Sequence, residues 1–182
     1  MECGNFKMRK RLNLFSLMLA SFFLVPHIEA RTRYLNLADT MCVKGEAVYI
    51  SCSLDAGPTP NDYNGPVASV CAKGNTSPDS GYVQYRYGIP GAKAEFTFPR
   101  KKLPPRGRLT IYAPADGQSA SLRFRDGEKV YAFEDRGLSG YKLIVTDNGQ
   151  ELINKWCDGP GVNYLIDSAY IGIEQSQSET GP

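Results

Sequence analysis

The residues able to do chemistry in this 182-residue chain are few. They are five cysteines, one histidine (His27), a handful of neighbouring carboxylates, and two clusters of aromatic and basic side chains. A Ser-His-Asp or Cys-His constellation needs an imidazole near the nucleophile, and the one His sits in the N-terminal leader discussed below. Four of the cysteines, Cys42, Cys52, Cys71 and Cys157, are separated by 9, 18 and 85 residues. They form no C-x-x-C clip and have no His to complete a zinc site, so no metal and no cofactor is expected. Carboxylate chemistry has two candidate pairs. Glu134 and Asp135 are adjacent, but neighbours on a strand point to opposite faces and cooperate only across a bulge; Asp126 and Glu128 share a turn. Gly137-Leu138-Ser139-Gly140 differs from a nucleophile elbow because its second glycine comes one position early, and it reads as a loop. No catalytic residue is assigned.

Two clusters are candidates for binding. In Tyr82-Val83-Gln84-Tyr85-Arg86-Tyr87-Gly88 the alternation puts Val83, Tyr85 and Tyr87 on one face and Tyr82, Gln84 and Arg86 on the other. Tyr82 and Arg86 would then offer a polar-aromatic patch to a glycan or a protein. The segment Arg100-Lys101-Lys102-Leu103-Pro104-Pro105-Arg106-Gly107-Arg108 has five cations in nine residues and no acid. It reads as a proline-stiffened loop whose Arg100, Lys101, Lys102, Arg106 and Arg108 suit an anionic surface: a polysaccharide, lipid headgroups, or the acidic cleft of an enzyme.

The elements that position these side chains begin after an address. Lys7, Arg9, Lys10 and Arg11 precede an apolar run from Leu12 to Val25, and Pro26-His27-Ile28-Glu29-Ala30 closes it. That order is the one of a secretory signal peptide, expected over residues 1–30, and the run is shorter than the roughly 20 residues of a membrane-spanning helix. Cleavage after Ala30 removes Cys3, His27, four cations and two carboxylates, leaving 17 Lys+Arg, 17 Asp+Glu, four cysteines and no histidine. The expected location is periplasmic or extracellular, with no transmembrane segment after cleavage. Zero net charge and export argue against nucleic acid as a partner. Four cysteines in an exported chain imply two disulfides with three connectivities. Cys52–Cys71 is the pairing favoured here, because both lie on apolar runs able to form a hairpin. Cys42–Cys157 follows.

The body, residues 31–173, reads as one antiparallel all-β domain, a barrel or sandwich of about 8–10 strands stabilised by disulfides. Strands are expected at 46–54, 66–72, 82–88, 94–98, 108–113, 119–125, 128–134, 141–147, 150–156 and 169–173, with a helical turn near 34–40 and a flexible polar tail over 174–182. A two-residue turn at Asp126-Gly127 pairs Phe124 with Lys129 and Leu122 with Tyr131. One face then carries Leu122, Phe124, Tyr131 and Phe133, and the other Arg123, Arg125 and Glu134. A second turn at Asn148-Gly149 pairs Val145 with Leu152 and Tyr141 with Trp156, and its apolar pairs on both faces suggest a hairpin covered on both sides. Trp156 is expected to pack in the core or at its rim. Asn75-Thr76-Ser77 is a formal glycosylation sequon.

The order Cys42-Val43-Lys44-Gly45-Glu46, Tyr49-Ile50-Ser51-Cys52-Ser53-Leu54, Val67-Ala68-Ser69-Val70-Cys71, Tyr85-Arg86-Tyr87-Gly88 and the stretch from Leu143 to Cys157 resembles a group of small, uncharacterised secreted bacterial proteins. The resemblance implies bacterial export and a β domain with paired cysteines. It carries no activity. The architecture is also loosely similar to periplasmic inhibitors of lysozyme, although their signature Ser- and Lys-bearing loop is not present. The expected function is a non-enzymatic binding domain at the cell envelope, with an envelope glycan or a secreted protein as partner. The alternatives are inhibition of a lysozyme-like glycosidase and a carboxylate-dependent envelope hydrolase.

Overall fold

Apolar alternation and closely spaced turns build a strand-rich chain. A computed structural model describes residues 36–54, 65–114 and 119–177, within the unit Tyr34–Pro182. The expected signal peptide, most of the loop 56–66 and the last residues of the expected tail lie outside the described residues. After a 3₁₀ turn at Leu37–Asp39 come β1 (Ala47–Ser53), β2 (Val67–Lys73), β3 (Tyr82–Gly88), β4 (Phe96–Phe98), β5 (Leu109–Tyr112), β6 (Ser121–Asp126), β7 (Lys129–Asp135), β8 (Tyr141–Asp147), β9 (Gln150–Trp156), β10 (Asp158–Asn163), α1 (Asp167–Gly172) and β11 (Glu174–Ser176). They form two sheets, ordered β10-β1-β2-β3-β4 and β11-β5-β6-β7-β8-β9. The fold is sandwich-like and all-β, and among the described residues neither sheet closes into a barrel.

The core lies between the sheets. From the first come Ile50, Cys52, Ala68, Val70, Val83 and Tyr85; from the second Leu109, Ile111, Leu122, Phe124, Phe133 and Leu143. Each Val, Leu, Ile or Phe side chain among them, fully buried, contributes on the order of 1.5–3 kcal/mol. Rings from both sheets mesh: Phe98 stacks on Phe124 at 4.8 Å and Phe96 on Tyr131 at 5.5 Å. The sheets cross rather than align. Cys157, following β9, is bonded to Cys52 of β1, while Ile153 lines a cavity with Tyr87 and Phe96 of β3 and β4. Four residues of strand and three strand spacings both span about 13–14 Å, so β9 runs across the first sheet's strands.

Several expectations are corrected. The disulfides are Cys42–Cys71 and Cys52–Cys157. Cys52 pairs with Ala68 across β1–β2, and three residues on from Ala68 the side chain of Cys71 points out of the opposite face, so Cys52 and Cys71 cannot meet. The β6–β7 register is Phe124↔Tyr131 and Leu122↔Phe133, two residues from the expected pairing. Gly127 has φ 61° and Glu128 is not positive, so the turn is Gly127-Glu128 with the glycine first, the type II′ pattern. A slip of two preserves the faces, and Leu122, Phe124 and Phe133 do face the core. At Asn148-Gly149 both φ values are positive, 48° and 80°, and Asp147 pairs with Gln150. A bulge then shifts the register so that Val145 faces Ile153, leaving Leu152 exposed. The β8–β9 hairpin is covered on one face only, and Trp156 pairs with Lys142 on the outer face, 45% exposed.

The segment 169–173, expected as a strand, lies mostly within helix α1. Glu174–Ser176, expected as flexible tail, is an edge strand parallel to β5. The sheet is therefore mixed. Strand β10, not among the expected strands, is an edge strand of the first sheet, the position where a proline is tolerated. Asn75 of the sequon is structural. Its Oδ1 accepts from the Tyr49 hydroxyl at 2.7 Å, and its Nδ2 donates to the carbonyls of Ser77, Ser80 and Gly172 within 3.0 Å.

Two outcomes test this account. Proteolytic mapping under non-reducing conditions will recover Cys42–Cys71 and Cys52–Cys157. Removing the second bridge, which closes 105 residues, will cost about 4.8 kcal/mol against about 3.6 kcal/mol for the 29-residue loop. Asn75→Ala will lower stability by about 2–3 kcal/mol, or roughly 5–10 °C in Tm by calorimetry.

Candidate functional site

The first sheet is buried on both faces, and its outer face is polar. Ser69, Gln84 and Arg86 point there, opposite the core-facing Val70, Val83 and Tyr85. Buried polar groups need partners, and the segments crossing this face supply them. Ser51 and Ser69 bond to each other at 2.9 Å, Met41 N–H donates to Ser69 Oγ, and Gln84 Nε2 donates to the carbonyl of Pro99. The centre is an ion pair. Arg86 Nη1 and Nη2 each donate to Glu46 at 2.7 Å, and they also reach the Met41 carbonyl and Gln84 Oε1.

The Glu46 carboxylate is almost sealed, with 1% of its side chain exposed. It accepts further bonds from the Tyr82 hydroxyl at 2.7 Å and the Val43 N–H at 2.9 Å. Burial pushes its acidity the wrong way for a charge. The bonds from Arg86, Val43 and Tyr82, together with the Arg86 charge, outweigh that, and its pKa is held below the ordinary 4.5. The Cys42–Cys71 bridge fastens the same loop to β2.

Over this floor opens a cavity of about 650 Å³. Met41 and Val43 form one wall, Ala92, Ala94, Glu95, Phe96 and Thr97 the other, and Arg100 and Lys102 enter from the basic loop above Gln84 and Arg86. Lys102 Nζ lies 4.8 Å over the Tyr82 ring. Arg86 is neutralised by Glu46, so the cavity's attraction for anions comes from Arg100 and Lys102, which outnumber the single further carboxylate, Glu95. A second cavity, about 260 Å³, lies between the sheets against Tyr85, Tyr131, Val145 and Ile153, with Lys129 at its rim.

The candidate binding residues thus divide. Arg86, Arg100 and Lys102 line the larger cavity, and Tyr82 stands behind them, under Lys102 and bonded to Glu46. Arg86 does so as its buried, paired floor; it is not the exposed contact the alternation suggested, because the Met41–Glu46 loop covers that face. Lys101 is exposed on the same loop. Arg106 is held by Asp79 and Glu174, and Arg108 by the carbonyls of Pro104 and Arg106; both shape the loop and do not line the cavity. Sequence reasoning missed Glu46, a lone acid just ahead of β1 whose partners are 36 and 40 residues away, and it missed Thr97 and Gln84 as lining residues.

Other sequence candidates lie elsewhere. Glu134 is on the outer face of β7 beside Arg123 and Arg136. Asp135 accepts from the Gly137 N–H and the Tyr141 hydroxyl. Neither lines either cavity. The Sγ atoms of Cys42 and Cys71 and the Glu46 carboxylate lie within 4.8 Å of one another. The sulfurs are bonded to each other and the carboxylate to Arg86, so the set holds no thiolate for a metal.

The depressed pKa of Glu46 has a pH consequence. Its stabilisation is fully present above the unfolded carboxyl value and is lost as pH falls through the lower folded value. Wild-type protein will therefore lose stability in denaturant titrations as pH drops below about 4.5. Glu46→Gln will be destabilised at neutral pH by about 3–5 kcal/mol, since it leaves Arg86 buried and unpaired, and it will show a flatter acid limb. Comparison with protein-family models, curated proteins and solved structures yields no match for this chain.

Proposed function

We propose that this protein is a non-enzymatic, exported binding domain of the bacterial cell envelope that takes an anionic ligand in the cavity on the outer face of the first sheet. The observation that carries the reading is the meeting of Arg100 and Lys102 over a floor whose own charges, Arg86 and Glu46, already cancel. Two cations against the one lining carboxylate outside the ion pair, Glu95, leave the cavity net positive, and with the Thr97 hydroxyl they suit an acidic sugar or a similar carboxylate-bearing ligand. The signal-peptide pattern and the paired cysteines support the location. Lys101, exposed on the same loop, favours a second reading, in which the basic loop enters the acidic cleft of a lysozyme-like glycosidase.

Calorimetric titration with acidic and neutral envelope oligosaccharides tests the first reading. Acidic ligands will bind, and the Arg100→Glu, Lys102→Glu double variant will weaken them at least about tenfold. Added salt will weaken them too, since these charges face solvent. Equal binding by the variant overturns the assignment. Stoichiometric inhibition of a lysozyme, lost with Lys101→Glu, would select the second reading, and its absence across lysozyme types removes it.

A further inference from the structure

The last strand of the second sheet carries an exposed ring that neither cavity uses. The bulge between Glu151 and Ile153 resets β9 so that Asn154 lies opposite Ile144 and Trp156 opposite Lys142, both on the outer face. Trp156 is the chain's single tryptophan and is 45% exposed. Lys142 Nζ sits 4.6 Å over its ring, on the β8 side. The same ammonium donates to Asn154 Oδ1 at 3.0 Å, and Asn154 Nδ2 donates to Glu151 Oε2 at 3.0 Å. Among the described residues no strand lies beyond β9, so the sheet provides no neighbour for the second face of the indole.

We propose that this edge is a carbohydrate platform, on which a neutral hexopyranose ring stacks its C–H face on the open face of Trp156 while its hydroxyls bond to Asn154 and Glu151. Three features of the site select that occupant. The electron-rich indole face attracts polarised C–H groups and offers a flat apolar surface with little conformational freedom to lose. The amide and carboxylate beside it supply donors and acceptors already oriented by the chain Lys142–Asn154–Glu151, which lowers the ordering cost of binding. Charge decides the ligand's own charge. Lys142 and Glu151 cancel through Asn154, so the array has no net attraction for an anion, unlike the cavity holding Arg100 and Lys102. The two sites lie on the outer faces of opposite sheets, and occupation of one leaves the other open.

Because no other tryptophan exists, emission from the disulfide-bonded protein reports this site alone. Titration with cellotriose, maltotriose and triacetylchitotriose at millimolar concentration will give a saturable change with at least one of them. Asn154→Ala and Glu151→Ala will each weaken that response about fivefold, the equivalent of one hydrogen bond. The Arg100→Glu, Lys102→Glu variant will leave it unchanged, so failure here and failure of the anion site are read separately. Trp156→Ala, whose ring is half in solvent, will fold with an unaltered far-UV spectrum and will lose ligand saturation transfer in NMR. The proposal is overturned if no trisaccharide gives a saturable change, or if the response survives Asn154→Ala and Glu151→Ala undiminished.

Discussion

A side chain on a β-strand can leave only one of two faces, and in the first sheet both faces are closed. On the inner face this is the ordinary demand for apolar packing, which Val70, Val83 and Tyr85 meet. On the outer face the same strands present Ser69, Gln84 and Arg86 to a covering layer, and burial of such groups is stable only when each finds a partner. The Met41–Glu46 loop and the segment after β4 are built around that requirement. Glu46 supplies the counter-charge, Pro99 and Met41 supply carbonyls, and Cys42 is bonded to Cys71 on the same face. A sheet that would otherwise have one wet side is held under a polar clasp.

The clasp makes a cavity with a charge distribution that a simple count of cations misses. Arg86 looks like the strongest anion ligand on the strand, yet four bonds from its guanidinium are already committed. Its role is to fix the floor and the loop wall, whereas Arg100 and Lys102 face the opening. The five cations of the basic loop likewise separate by partner. Arg106 and Arg108 are absorbed into the loop's own geometry, beside a fully buried Pro105. Specific binding at such a site depends on the two cations left over, offset in part by Glu95, and set on an internally neutral base.

Much of the strand layout was legible because turn chemistry and alternation are local. Nine of the expected strands fall on observed ones, and the inner and outer faces of β6 and β7 were placed correctly even though the register was two residues out. Type I′ and II′ turns both use a glycine-bearing dipeptide, and Asp126-Gly127-Glu128 satisfies either; only the dihedral angles separate them. The β9 bulge left no sequence signal. It cost the assignment of Leu152 and Trp156, since one inserted residue moves every later side chain to the other face. Helix α1 and strand β11 depend on packing beside β1 and β5, and six residues of helix carry too little periodicity to announce themselves.

The sequence alone determined the strand-rich class, the four cysteines spread through the strand-bearing body, and the alternation that divides each strand into two faces, because those properties depend on composition and nearest neighbours. Tertiary structure decided which cysteines meet, which cations remain available and where the lone tryptophan looks. Each of those outcomes turns on residues far apart in the chain: Glu46 with Arg86, Cys52 with Cys157, Lys142 with Trp156. Strand parity and sheet order bring such pairs together or hold them apart, and neither is written into the spacing of a single segment.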